Sequence, residues 1–456
     1  MSKKIILFGT ALLLLLAGLF FPHSAPDQPA PVVHQHLSAP KESPETAGFD
    51  ENGVLTSHLP LVILHADGNV IPGVNREDSR RLTCSYTIID HKNGVNRSTD
   101  APTMEGLADI NIRGNSSREF PKKQYGFRLV DSQGEPAPAS VMGMPEGSAW
   151  VLNGSWIDRS MLRNYMMYNI CGEFMPYSPR VRFCEVFVTN ADKEPVYQGV
   201  YTMMEKIRVE EDRVRLSDYD PKYAAAPFLV QLNSHIDHDP IRRLYSEHER
   251  PSIFDLEYPK SDEITPESLR YIEQNLLTLD KLLLDSTKSR DWSWLEDTLD
   301  LDSFVDYFLV NEFFQNYDAA RRSTYMYRDL DGKYHMGPVW DFDGICNNYI
   351  GIQFPLSELT ITRQFYYVQL TQSPEFLARC ITRYGALRDS WLSDEYLLNY
   401  IDQAAAYLDG PGRRNSLLWY QNENEFLTDT AKMKEYIVQR GAWLDENYVR
   451  CSTLIE

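Results

Sequence analysis

The residues best equipped for chemistry lie in "GPVWDFDGICNNY", positions 337 to 349. Asp341 and Asp343 stand two apart ahead of Gly344, and Asn347 and Asn348 follow. Carboxylates at that spacing can hold a hard cation. Mg2+ prefers oxygen donors and commonly takes one or two carboxylates, with substrate phosphates completing its shell. Asp-x-Asp-Gly is also ordinary turn chemistry, so the pair by itself decides nothing. A further acid, Asp318 in "QNYDAARRST", follows an apolar helical stretch and precedes the same hairpin. On the other side of the chain, "INIRGNSSREFPKKQYGFRL" gathers Arg113, Arg118, Lys122 and Lys123. Such cations can hold phosphate oxygens, Arg through its planar fork and Lys as a point charge. Neither GxxxxGK[ST] nor GxGxxG occurs anywhere.

The elements that must position these groups fall into two halves. From about Leu59 short β-branched and aromatic runs alternate with Gly, Asn and Asp: "LPLVILHADG", "RLTCSYTIIDH", "ADINIRGN", "QYGFRLVD", "AWVLNGSW", "RFCEVFVTN", "YQGVYTMMEKI" and "APFLVQLNSH". One helix interrupts them, "DRSMLRNYMMYNICGEF", with Asp158 as its cap. The second half turns helical. Thr265 and Pro266 open one helix, Asp302 caps another, and Ser393 starts a long amphipathic tail. Between them "STYMYRDLDGKYHMGPVWDFD" reads as a hairpin turning at Asp331-Gly332. The fold class is therefore α+β, with a β-rich lobe over about 57–260 and a helical lobe over about 261–456. Helix, acidic loop, hairpin and second acid is the order in which protein kinases place their catalytic-loop and metal-binding aspartates.

Bulk composition narrows the rest. A formal charge of −20 and a pI near 5.0 argue against a nucleic-acid footprint. Lys3 and Lys4 precede an uncharged, mostly apolar run from Ile5 to Phe21, which reads as an export signal or a retained membrane anchor within residues 1–25. Residues 26–56 read as a Pro-rich linker. The six cysteines follow no CxxC or His-rich pattern, so a zinc cluster is not supported.

"IRGNSSREFPKKQYGFRL", "SWIDRSMLRNYMMYNI", "YQGVYTMMEKIRV", "FLVQLNSH", "DSFVDYFLVNEFFQNYDA" and "GPVWDFDGICNNY" occur in the order found in the spore coat protein H (CotH) kinase family, which the chain resembles from about Leu59 to Tyr349. The resemblance implies a bilobal, atypical protein-kinase-like fold. It also implies transfer of phosphate from ATP, with Mg2+ or Mn2+, to Ser or Thr of a partner protein, here one of the surface or envelope. Asp318 then matches the loop acid and shares the metal. Asp341 matches the metal-binding acid, with Asp343 beside it. Lys123 is the phosphate-contacting lysine, Arg113 a second cation, and Glu205 in "MMEKI" belongs to a nucleotide-facing or hinge segment. Asp158, Arg163 and Asn164 sit in a helix block that orders the site. The chain departs from kinases in having no HRDxxxxN loop: Ser323 stands where the pattern wants Asn, which leaves Asn316 or Asn347 as candidates for a further metal ligand.

Two rivals compete with this reading. A haloacid-dehalogenase-like phosphatase also uses an Asp-x-Asp after an apolar strand, but usually with Thr two beyond the second acid, where this chain has Ile345. A non-catalytic surface or matrix-associated binding module on a kinase-like scaffold is the alternative from outside enzymology, because fold alone does not fix function.

Overall fold

The computed structural model describes residues 29–38, 47–73, 80–114, 116–233, 240–241, 253–284 and 291–447. The apolar N-terminal run, residues 5–21, lies outside the described residues. Among those described, no helix is long and apolar enough to cross a membrane.

Seven strands close into a barrel: β1 (Leu61–His65), β2 (Leu82–Ile89), β3 (Met104–Ile112), β4 (Tyr125–Val130), β5 (Ala149–Asn153), β6 (Val181–Thr189) and β7 (Pro195–Glu205). Their order around the wall is β7-β5-β4-β3-β2-β1-β6, and β6 pairs back onto β7. Every pairing is antiparallel except β1 with β6, where Leu61 lies opposite Glu185. The alternation expected of strands is visible in β2, which buries Cys84, Tyr86 and Ile88 and turns Thr83 and Ser85 outward or to the rim. β5 has no exposed residue: Trp150 and Leu152 fill the barrel, while Val151 packs into the larger core outside it.

That larger core is built around α1 (Arg163–Cys171), all nine residues of which are buried. A second sheet, in the order β9-β10-β8-β11-β12, joins β8 (Phe228–Asn233), β9 (Pro240–Ile241) and β10 (Ile253–Tyr258) to the hairpin β11 (Thr324–Arg328) and β12 (Tyr334–Met336). The longer helices besides α1 are α2 (Pro266–Leu284), α3 (Leu301–Phe313), α4 (Pro374–Arg388), α5 (Asp394–Tyr420) and α6 (Glu425–Asn447). The content is thus mixed α and β, as the patterning predicts.

Four expectations change in detail. Phe228–Asn233 and Ile253–Tyr258 join one sheet with the late hairpin and not the barrel. Asp300, not Asp302, caps α3 by accepting from Ser303 N at 2.9 Å. Asp158 lies five residues ahead of α1 and accepts from Arg163 N, the first helical residue, at 2.9 Å. Within the stretch read as linker, residues 29–38 dock on the domain. Gln35 exchanges hydrogen bonds with the Phe183 backbone at 2.7 and 3.2 Å, and His36 bonds the Tyr165 hydroxyl at 2.8 Å. Cys84, Cys171, Cys184, Cys346 and Cys380 are all buried.

Candidate active site

Asp318 reaches its place because α3 ends at Phe313 and the chain turns sharply, with Gln315 at φ 48°. Asn316 organises that turn. Its side-chain amide donates to Asn311 Oδ1 at 2.9 Å and to the Asp341 carbonyl at 3.3 Å, while its Oδ1 accepts from Asp318 N at 3.3 Å. One side chain therefore staples the turn bearing Asp318 to the turn bearing Asp341, two segments that the hairpin β11–β12 separates in sequence.

The two carboxylates feel each other. Burial, then the charge of Asp341, pushes the Asp318 pKa up to about 6, against the pull of Arg322, Arg321 and a hydrogen bond from Tyr349. Arg322 Nε lies 3.0 Å from Asp318 Oδ1. The Asp341 pKa is raised by burial as well, opposed by the Ser323 hydroxyl, which donates to Oδ2 at 3.1 Å, and by Arg113 and Arg322. Gly344 is needed here: a Cβ on it would stand 2.7 Å from the Tyr349 ring that reaches Asp318.

This donor set suits a hard divalent cation. Two carboxylates that raise each other's proton affinity leave a demand for positive charge that Arg322 meets only in part. Mg2+ and Mn2+ suit oxygen donors of this kind, with phosphates and water supplying the remainder. No group of three His, Cys, Asp or Glu assembles among the described residues, so an all-protein cage of the zinc type is not formed.

Asp343 is bonded within the protein. It is buried, accepts a short hydrogen bond from Asn164 Nδ2, and its carboxyl sits well above the usual range through burial, then Asp341 and Asp158. Asn347 is occupied within its own loop, bonding Phe354 N at 2.8 Å and Phe354 O at 2.9 Å.

The cations redistribute. Arg113 stands at the end of β3 with its guanidinium 5.8 Å from the Trp340 ring centre, close enough to lower the Asp341 pKa. Lys123 donates to the Arg118 carbonyl of its own loop at 2.7 Å. Lys122 points inward instead. It is fully buried, donates to the Val200 carbonyl and to Asn415 Oδ1, and lies 4.7 Å over the Tyr201 ring, with burial lowering its pKa to about 7. Glu205 is equally withdrawn from any ligand: with no exposed surface, it accepts from Arg180 N at 2.9 Å and from Tyr177 OH at 3.2 Å, and pairs with Arg180 at 3.1 Å and Arg213 at 3.6 Å.

The residues that do join Arg113 went unremarked in the sequence. Lys206 and Arg208 follow β7 and flank Ile207, which is wholly buried. Glu257, 4.0 Å from Lys206, raises the lysine's pKa, but burial with Arg208, Arg113 and Arg81 outweighs it and the net shift is downward. Arg208 Nε is buried with no hydrogen-bond partner among the described residues. The signal was present in "EKIRV": two cations two apart in extended chain share one face, and the apolar residue between them points the other way.

Fold and site together define a mixed α and β protein in which cations just past two strand ends, Arg113, Lys206 and Arg208, neighbour one another, and Arg113 also neighbours one of a pair of turn-borne acids. The chain belongs to the CotH kinase family: the family model described as CotH kinase protein matches residues 110–444. No curated protein matches it.

Proposed function

We propose that this chain is an exported, atypical protein kinase that transfers phosphate from ATP to Ser or Thr of surface or envelope proteins. In this reading the barrel is the nucleotide lobe of a kinase-like bilobal fold, and the helical part carries the acids. The observation that carries it is the placement of Asp318 and Asp341 on two turns stapled by Asn316, facing unlike partners on either side: Arg113 from the barrel, Arg322 from the helical part.

Each side chain then has a limited task. Asp318, ionised above pH 6, accepts the hydrogen bond of the incoming hydroxyl and orients its lone pair. Asp341, with Asp318 at its side, would hold Mg2+ or Mn2+, which supplies charge neutralisation to phosphate oxygens. Arg113, Lys206 and Arg208 contribute fixed positive charge to the same oxygens without a metal-ligand role. Arg322 holds the Asp318 carboxylate in place.

The test is the full chain incubated with labelled ATP, Mg2+ or Mn2+ and candidate Ser/Thr proteins, beside an Asp341→Ala variant. Label should pass to protein with the wild type alone. Equal transfer by a folded Asp341→Ala protein defeats the assignment, and absence of both nucleotide binding and transfer in the wild type favours the binding-module alternative.

A further inference from the structure

Asp341 occupies a left-handed backbone conformation, φ 66°, which L-residues with a side chain rarely adopt. Such a conformation persists only where the surroundings over-determine it, and it concentrates where function needs a side chain aimed in an unusual direction. The surroundings here are explicit. The Asp341 N–H donates to the Tyr168 hydroxyl at 3.0 Å, its carbonyl accepts from Asn316, and the next N–H, of Phe342, donates to Asn164 Oδ1 at 2.9 Å. Asn164 spends its other end on the Asp343 carboxylate.

Tyr168 and Asn164 both come from α1, one helical turn apart. α1 itself is locked. Arg163 bridges Asp158 and Asp429 at 2.6 Å to the latter, and its Nε donates to the Ile345 carbonyl at 3.1 Å, just beyond the acid turn. The Tyr168 ring lies between Trp340 and Phe342, with centroids 5.8 and 5.7 Å away, so the residues on both sides of Asp341 pack on the ring whose hydroxyl holds it.

We infer that Tyr168 and Asn164 are positioning residues for the Asp341 carboxylate: they hold its turn left-handed, and so set how tightly a divalent cation is held beside Asp318. This rests on the proposed site for the identity of what the carboxylate holds, and not on phosphate transfer itself. Neither residue touches the cation or the reacting atoms. Their effect passes through the backbone.

The experiment measures Mn2+ binding to the full chain by calorimetry, with phosphate transfer and thermal unfolding recorded in parallel. Tyr168→Phe keeps the ring and removes only the acceptor. It should weaken Mn2+ binding roughly tenfold, the lower end of what loss of a ligand-orienting partner costs. Asn164→Ala should act in the same direction, and the two together should lose less than the product of the single effects, because both act on one turn. Tyr366→Phe is the control for structural damage: it deletes another buried hydroxyl, bonded to Asp280 at 2.6 Å, and should lower the unfolding midpoint while leaving Mn2+ binding unchanged. Wild-type Mn2+ affinity in Tyr168→Phe overturns the inference, as does a loss matched by Tyr366→Phe. A wild type that binds Mn2+, responds to these substitutions as described and transfers no phosphate retires the kinase reading and leaves the inference standing.

Discussion

Buried charge is handled in two opposite ways in this protein. Outside the candidate site, unlike charges meet: Glu205 with Arg180 and Arg213, Arg163 with Asp158 and Asp429, Glu312 with Arg440 at 3.0 Å. Within it, like charges gather: Asp318 beside Asp341 on one side, Arg113 beside Lys206 and Arg208 on the other. Taking an ion out of water is expensive unless a partner compensates it. The paired groups are compensated within the fold and tie distant segments together. The gathered groups are compensated only in part, and the raised pKa values of Asp318 and Asp341 and the lowered ones of Lys206 and Arg208 record the deficit. A deficit of both signs at one site is what a polyanion arriving with a divalent cation relieves.

The contrast predicts which substitutions break function and which break the fold. Asp318→Asn removes the group proposed to orient the hydroxyl and should reduce transfer by about 10²–10⁴-fold while the protein stays folded. Its pH signature is specific. The raised pKa keeps the Asp318 carboxyl protonated until pH passes about 6, so wild-type transfer should fall as pH drops through that value. The residual activity of Asp318→Asn should lack this limb. A limb that survives the substitution assigns it to another group.

Glu205→Gln tests the other side of the comparison. Arg180 and Arg213 are almost entirely buried, and the substitution leaves Arg180 without its counter-charge and Arg213 with Glu210 alone, at 3.2 Å. Loss of one partner from a buried pair typically costs about 3–5 kcal/mol, which urea unfolding would resolve. Protein that remains folded should keep the wild-type KM for ATP. A KM change without a stability change returns Glu205 to the nucleotide.

Substituting the cations should do the reverse. Lys206→Met or Arg208→Met relieves crowding among like charges, so stability should hold or rise. KM for ATP should increase roughly tenfold, the value of one charge-assisted hydrogen bond. Lys123→Met, whose ammonium bonds its own loop, should change KM far less.

How much of this was legible follows the range of the signals. The barrel strands, the hairpin and the long helices were readable because periods of 2.0 and 3.6 are local. That the turns of Asp318 and Asp341 would lie side by side was readable from their order along the chain. The parallel closure of β1 on β6 was not, since no local pattern specifies which distant strand completes a barrel. "IFDLEY" was missed as a strand because its charges obscure the alternation, although Asp255 is buried. Glu205 misled for a similar reason: its type and strand-end position suggest a ligand, and only the arrival of Arg180 and Arg213 makes it internal. "PKK" misled because the two lysines, adjacent in sequence at a bend, find different partners. Lys122 entered the interior, bonding Asn415 of α5 at 2.7 Å, while Lys123 stayed with its loop.

The smallest expected effect separates the two aspartates of "WDFDG". As a metal ligand Asp343 would have to be ionised and facing the cation. Its surroundings favour neither: burial and the charges of Asp341 and Asp158 favour the protonated carboxyl, and Asn164 and the Asn348 amide, which donates to the Asp343 carbonyl at 2.8 Å, hold the residue in the protein. A protonated carboxyl and a carboxamide have nearly the same shape, and both accept from Asn164 through a carbonyl oxygen. Asp343→Asn should therefore leave the Mn2+ affinity within about threefold of wild type, a cost below 1 kcal/mol in the range of near-isosteric changes. The same exchange at Asp341 should abolish binding. Equal losses at the two positions would make the doublet a shared ligand pair, and would move the boundary between compensated and uncompensated charge one residue pair further into the fold.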